Sequence, residues 1–151
     1  MPNPQKMKSY VDRARASVGL VRYKLGRGGF NAKYPYRVEW DHALCDCSGF
    51  ASFVYQLSRK PKLTRWWWIE TTNIYRDAMD KQKVFVRIKE PIPGCLVVYP
   101  DQGGHEGHVG IVTQAYPLRV VDCTPAHGIA ERLGSVFEKN HAIYCILKQD
   151  S

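Results

Sequence analysis

Asp46-Cys47-Ser48-Gly49-Phe50, with Phe53, Val54 and Leu57 behind it, is the stretch from which the fold can be read. From Phe50 onward the apolar side chains recur three and four residues apart, the period of an amphipathic helix with one face in a core. The helix is expected to begin near Cys47 and to end around Ser58, before Pro61. Asp46 or Ser48 supplies the N-cap, a short side-chain oxygen that accepts from the free N–H groups of the first turn. Those N–H groups and the positive end of the helix dipole favour thiolate over thiol, so Cys47 is the candidate nucleophile. Cys45, Cys95, Cys123 and Cys145 read as buried thiols, the commoner role of a free cysteine.

Outward from this helix the pattern divides the chain. On the N-terminal side, residues 1–4 are expected to be disordered, and a first helix to run over residues 9–21 with Ser9 as N-cap and Tyr10, Ala14, Val18 and Val21 on its apolar side. The glycines of residues 23–29 imply a tight loop. They make no phosphate cradle, since no strand precedes them and no Lys-Ser or Lys-Thr follows. Residues 31–44, including Tyr34, Pro35, Tyr36, Trp40 and His42, read as an irregular lead-in that forms one wall of a cleft, and residues 62–65 as an exposed basic loop. From Val84 the period becomes alternating, which predicts strands at 84–88, 96–99, 108–113, 119–123 and 142–147, with a turn at 101–104 and a hairpin closed by Tyr116-Pro117. Helices followed by an antiparallel sheet make the fold class α+β.

A nucleophilic thiol needs a base to take its proton and a third group to hold that base in one tautomer. Among five histidines His108 is the candidate, because it starts an apolar strand and has Gly107 and Gly110 beside it to leave room for a facing helix or substrate. His105 is the second choice. Asp122 lies an even number of residues from His108, so a hairpin turning near residues 115–117 brings both to one face of adjacent strands. His127, expected in a loop, is the alternative orienter. A metal site built from Cys45, Cys47, His105, His108 and Cys123 is disfavoured, since Cys-x-Cys is tighter than zinc-knuckle spacing and has no paired knuckle. No metal or organic cofactor is expected.

Three motifs in order resemble the NlpC/P60 family of papain-like peptidoglycan hydrolases: Asp46-Cys47-Ser48-Gly49-Phe50 with Phe53-Val54-Tyr55, Pro91-Ile92-Pro93-Gly94-Cys95-Leu96-Val97-Val98, and Gly107-His108-Val109-Gly110-Ile111-Val112. The resemblance spans most of the chain. It implies a papain-like fold, with N-terminal helices packed on a central antiparallel sheet of about five to six strands, and a cysteine endopeptidase that cuts peptidoglycan stem peptides between γ-D-glutamate and a diamino acid. By residue match Tyr23 sits against the nucleophile, Asp46 and Ser48 hold the substrate's N-terminal side, and the Cys47 N–H with Tyr23 steadies the oxyanion. A core tyrosine is the alternative for Tyr23. The third catalytic position is most often histidine in the family, so Asp122 is a departure. Residues 71–77 fit the family's short helix, whereas Trp66-Trp67-Trp68 departs from its pattern. Three adjacent rings cannot all face one way, so at least one is expected to meet substrate or a partner.

The totals set bounds on these readings. A chain of 151 residues with 44% hydrophobic side chains forms one domain, residues 1–151. A net charge of +8 favours anionic surroundings, but its scattered basic residues do not suggest nucleic-acid binding. Five cysteines without regular spacing suggest a reduced protein. Neither a signal peptide nor a membrane span is evident, so the chain is expected to be made in the cytoplasm and to act as a monomer in the periplasm or cell wall. A phage lysis enzyme and an injected antibacterial effector both fit, the latter with an immunity protein as partner. Two other functions stay open: a papain-like acyltransferase or deamidase on lipid or protein, and a catalytically silent module that binds wall fragments.

Overall fold

The computed structural model describes residues 2–20, 22–28, 44–60 and 68–151. In chain order the elements are helix α1 (Pro4–Ala16), strands β1 (Arg22–Tyr23) and β2 (Leu44–Cys45), helices α2 (Cys47–Val54) and α3 (Thr71–Met79), strands β3 (Phe85–Ile88), β4 (Leu96–Tyr99), β5 (His108–Gln114), β6 (Arg119–Thr124) and β7 (Gly128–Leu133), helix α4 (Ser135–Lys139) and strand β8 (Ile143–Leu147). A 3-10 turn, Lys148–Asp150, follows. Six strands form one antiparallel sheet in the order β3-β8-β4-β5-β6-β7, and β1 pairs with β2 in a separate parallel ribbon. The class is α+β, as expected. No helix among the described residues is long and apolar enough to cross a membrane.

The first helix begins earlier than its apolar pattern suggests. Asn3 caps it by accepting from the N–H groups of Gln5 (3.0 Å) and Lys6 (3.2 Å), and Pro4 takes the first position, where a missing N–H costs nothing. Residues 2–4 are therefore ordered, and Ser9 lies inside the helix rather than at its start. The Asn3 N–H also donates to the Asp150 carbonyl and the Tyr10 hydroxyl to the Asp150 carboxylate, which joins the two ends of the chain. Met7, Tyr10, Val11 and Ala14 face the core, Val18 is exposed, and Val21 is outside the described residues.

Helix α2 corrects the expectation of a half-buried helix. All eight of its residues are buried, because it lies on β5 and β6 and is also packed against α1 and β2. It also stops sooner than Ser58. Gln56 adopts a left-handed φ of 53°, the Gln56 N–H donates to the Phe53 carbonyl and the Leu57 N–H to the Ser52 carbonyl, a reversal that usually takes glycine and so escapes a reading of the sequence. Arg13 from α1 donates to the Val54 carbonyl at the same end.

Strands β3, β4, β5, β6 and β8 lie within a residue of their predicted positions, and Gln102 and His105 pair across Gly103 and Gly104, whose positive φ angles make the tight turn. Strand β7 and helix α4 were not anticipated. Residues 128–133 carry no clean alternation, and burial along β7 runs half-buried, buried, half-buried, half-buried, half-buried, exposed. Their arrival alters the role of Gly110. A Cβ there would lie 2.3 Å from Val120 Cγ1, 3.2 Å from Asp122 Cβ and 3.3 Å from Phe137 Cζ, so the glycine makes room for β6 and for Phe137 of α4 rather than for a facing helix or substrate. Gly110→Ala is expected to lower stability by about 1–3 kcal/mol through overpacking, read as a fall in Tm of roughly 2–4 °C per kcal/mol. An unchanged melt would mean that Phe137 and Val120 yield freely.

Candidate active site

Cys47 occupies the first position of α2, where Asp46 is the N-cap and accepts from the Gly49 N–H at 2.7 Å. Its sulfur meets the backbone N–H groups of Ser48 and of Val109, the residue after His108 on β5. Cys47 and His108 line one cleft of about 170 Å³, together with Tyr23, Ser48, Glu70 and Asp101. The expected resting thiolate is corrected here. Burial and the Asp46 carboxylate push the Cys47 thiol up to about 12, against the downward pull of the two N–H groups, because desolvation of a sulfur anion outweighs two neutral donors. In the resting protein Cys47 is a thiol.

His108 is held from three sides. Its ring stacks on Phe137 (centroids 5.2 Å apart, planes at 20°), lies 6.4 Å from the Tyr99 ring across the β4–β5 register, and bonds through Nε2 to Asp122 Oδ2 at 2.7 Å. The hairpin geometry expected of the pair is present. Burial would raise the Asp122 carboxyl, but hydrogen bonds from His108 and Arg132 outweigh it and hold the group below its ordinary value. An ionised carboxylate only accepts, so Nε2 carries a proton, and in the neutral ring the lone pair then falls on Nδ1. That leaves Nδ1 as the basic nitrogen.

Arg132 is the residue that the sequence concealed. It comes from the unanticipated β7, where Val120 opposes Arg132 and Asp122 opposes Ala130, so it reaches diagonally back to Asp122. Nε donates to Oδ1 (3.0 Å) and Oδ2 (3.2 Å), and Nη2 donates to Oδ2 (2.6 Å). Arg59 is a second such case. Only 5% exposed, it donates to Ser48 Oγ (2.9 Å) and to the carbonyls of Ile69 and Arg27, and it pairs with Asp46 at 3.2 Å. No local pattern marks either arginine.

The remaining candidates fall as follows. Tyr23 on β1 reaches the cleft, and burial together with the nearby Cys47 raises its phenol to about 12, so it stays an O–H donor at neutral pH. Asp46 and Ser48 line the cleft, but Asp46 also accepts from the Gly26 N–H at 2.8 Å and so uses both oxygens in holding the fold. His105 is exposed in the 102–105 turn and His127 in the turn after β6, and neither lines the cleft. Trp66 and Trp67 lie outside the described residues, as do Tyr34, Trp40 and His42 of the lead-in. Trp68, 38% exposed, packs under the Arg59 guanidinium at 4.6 Å and beside Lys60. Cys45 and Cys123 bring their sulfurs within 3.5 Å in the core, and the described residues include no group of three or more His, Cys, Asp or Glu placed to hold a metal ion.

Compared with known proteins, the chain matches no family model and no curated protein. Fold and site define an α+β protein in which a thiol and a carboxylate-bound imidazole open onto one cleft.

Two outcomes follow from this geometry. Iodoacetamide is expected to modify Cys47 first, since it is 8% exposed and lines the cleft while the other four cysteines are at 0%. Its rate should still be climbing between about pH 8 and 10, as a thiol ionising near 12 requires. A rate already flat by about pH 7 would instead indicate a preformed thiolate. Separately, Arg59→Ala is expected to lower stability by about 3–5 kcal/mol in a denaturant titration, because it strands a buried carboxylate.

Proposed function

We propose that this chain is a papain-like cysteine hydrolase of the NlpC/P60 type that cleaves stem peptides of bacterial peptidoglycan at the γ-D-glutamyl–diamino acid bond. The observation that carries the reading is the 2.7 Å bond from His108 Nε2 to Asp122 Oδ2, made beside a cysteine at a helix start in the same cleft. His108 Nδ1 takes the Cys47 proton as the sulfur attacks the scissile carbonyl, so the thiolate forms only as it is used. The Cys47 N–H and the Tyr23 hydroxyl donate to the oxyanion. His108 then protonates the leaving amine, and water, deprotonated by the same nitrogen, releases the acyl group. Ser48 and Tyr23 meet the substrate's N-terminal side, while Asp46 positions Ser48.

Such a substrate places the site of action in the periplasm or cell wall, reached through phage lysis or by injection. In the second case a neutralising immunity protein is the expected partner. Acyl transfer or deamidation on the same thiol is the competing chemistry. A mass-resolved digest of defined muropeptides separates them: new amino termini at the γ-D-glutamyl bond support the proposal, and acyl exchange or binding without turnover refutes it. Cys47→Ala should abolish cleavage. Asp122→Asn should leave a folded protein whose turnover falls by about two to four powers of ten, because the imidazole is no longer held in one tautomer. His127→Ala should be nearly silent, and near-normal turnover in folded Asp122→Asn would remove Asp122 from the mechanism.

A further inference from the structure

Asp122 Oδ2 accepts three hydrogen bonds, 2.7 Å from His108 Nε2, 2.6 Å from Arg132 Nη2 and 3.2 Å from Arg132 Nε, which also donates to Oδ1 at 3.0 Å. The carboxylate is only 1% exposed, whereas the Arg132 side chain is 35% exposed and can shed part of its desolvation into water. A buried carboxylate whose sole partner is an imidazole favours the imidazolium, because the ion pair is little screened. A guanidinium that already neutralises that carboxylate removes the incentive. Its two-point grip also keeps the plane of the carboxylate fixed toward the ring.

We propose that Arg132 is a positioning residue that neutralises and aims the Asp122 carboxylate, so that His108 waits as a neutral base rather than as an imidazolium. The use of His108 as a base rests on the proposed hydrolase reading; the electrostatic effect of Arg132 on its ring does not. The inference agrees with the state of Cys47, whose thiol burial pushes up and so holds protonated until a base acts on it. Other groups around the ring are Tyr99 on β4, Cys47 on α2 and Tyr23 on β1. Glu70, Asp101 and Glu106 line the same cleft, carboxylates that favour the imidazolium and so make the compensating charge of Arg132 more necessary.

The test is an NMR titration of the His108 ring in intact, isotope-labelled protein without substrate, paired with the pH profile of kcat/KM on a defined muropeptide. Arg132→Met is expected to move the ring midpoint and the acid limb of kcat/KM upward by roughly one pH unit. Turnover near neutrality should fall and recover at higher pH, a pattern that a purely structural loss would not produce. Arg132→Lys keeps the charge and should leave the midpoint close to that of the parent. In the Asp122→Asn background, Arg132→Met should add little further shift, since its partner is gone. An unmoved midpoint in folded Arg132→Met, or an equal shift with and without Asp122, overturns the proposal. If Arg132→Met does not fold, Arg132→Gln, uncharged but able to hydrogen-bond, takes its place with the same outcomes. The ring titration requires no turnover, so a chain that cleaves no peptidoglycan still tests the inference, and a normal digest with an unmoved midpoint rejects the inference alone.

Discussion

Asp46 is buried, and three segments meet on it. It caps α2 through the Gly49 N–H, accepts from Gly26 in the loop after β1, hydrogen-bonds Ser48, and pairs with Arg59, which in turn holds Ile69 ahead of α3. A buried ion pair adds little net stability over apolar packing, but it permits only arrangements in which every donor finds its acceptor. Cys47 is thereby placed at the first turn of a helix that has no exposed face, and the Ile69 end of the next segment is tied to the same guanidinium. Gly49 is part of the constraint, since a Cβ would lie 2.2 Å from the Arg27 carbonyl.

The same device recurs on the other side of the cleft. Asp122 is a second buried carboxylate held by an arginine, and there too the arginine arrives from a different element of the fold. The two pairs divide the work. Asp46 with Arg59 fixes where the sulfur sits; Asp122 with Arg132 fixes the orientation and tautomer of the ring that faces it. Both carboxylates are shielded from solvent, so the pairing protects them from competing water and keeps the geometry constant as the cleft fills.

Chemically the surroundings of the sulfur favour the thiol. Sulfur at a helix start receives N–H groups and a favourable dipole, yet the desolvation of a largely buried thiolate is the larger effect, and Cys47 remains protonated until a base acts on it. Reactivity of the sulfur therefore depends on its ionisation and on access through the cleft. That selectivity also separates Cys47 from the neighbouring Cys45 and Cys123, whose sulfurs lie 3.5 Å apart in the core and outside the cleft lining.

The amino-acid sequence by itself determined the α+β class, the start of α2 at Cys47 under an Asp46 cap, most of the strand positions, and the pairing of His108 with Asp122, because each rests on local period, capping chemistry or strand parity. The tertiary structure alone decided the rest. Arg132 and Arg59 act across 10 and 13 residues through elements whose own patterns are weak, and no local rule says which carboxylate a given arginine will find. The end of α2 turns on a left-handed Gln56, a conformation ordinarily signalled by glycine, and the start of α1 on Asn3 and Pro4 ahead of any apolar period. The protonation state of Cys47 escaped for the same reason: a helix start can be read from neighbours in the chain, but the burial that opposes it is the sum of everything packed around the sulfur.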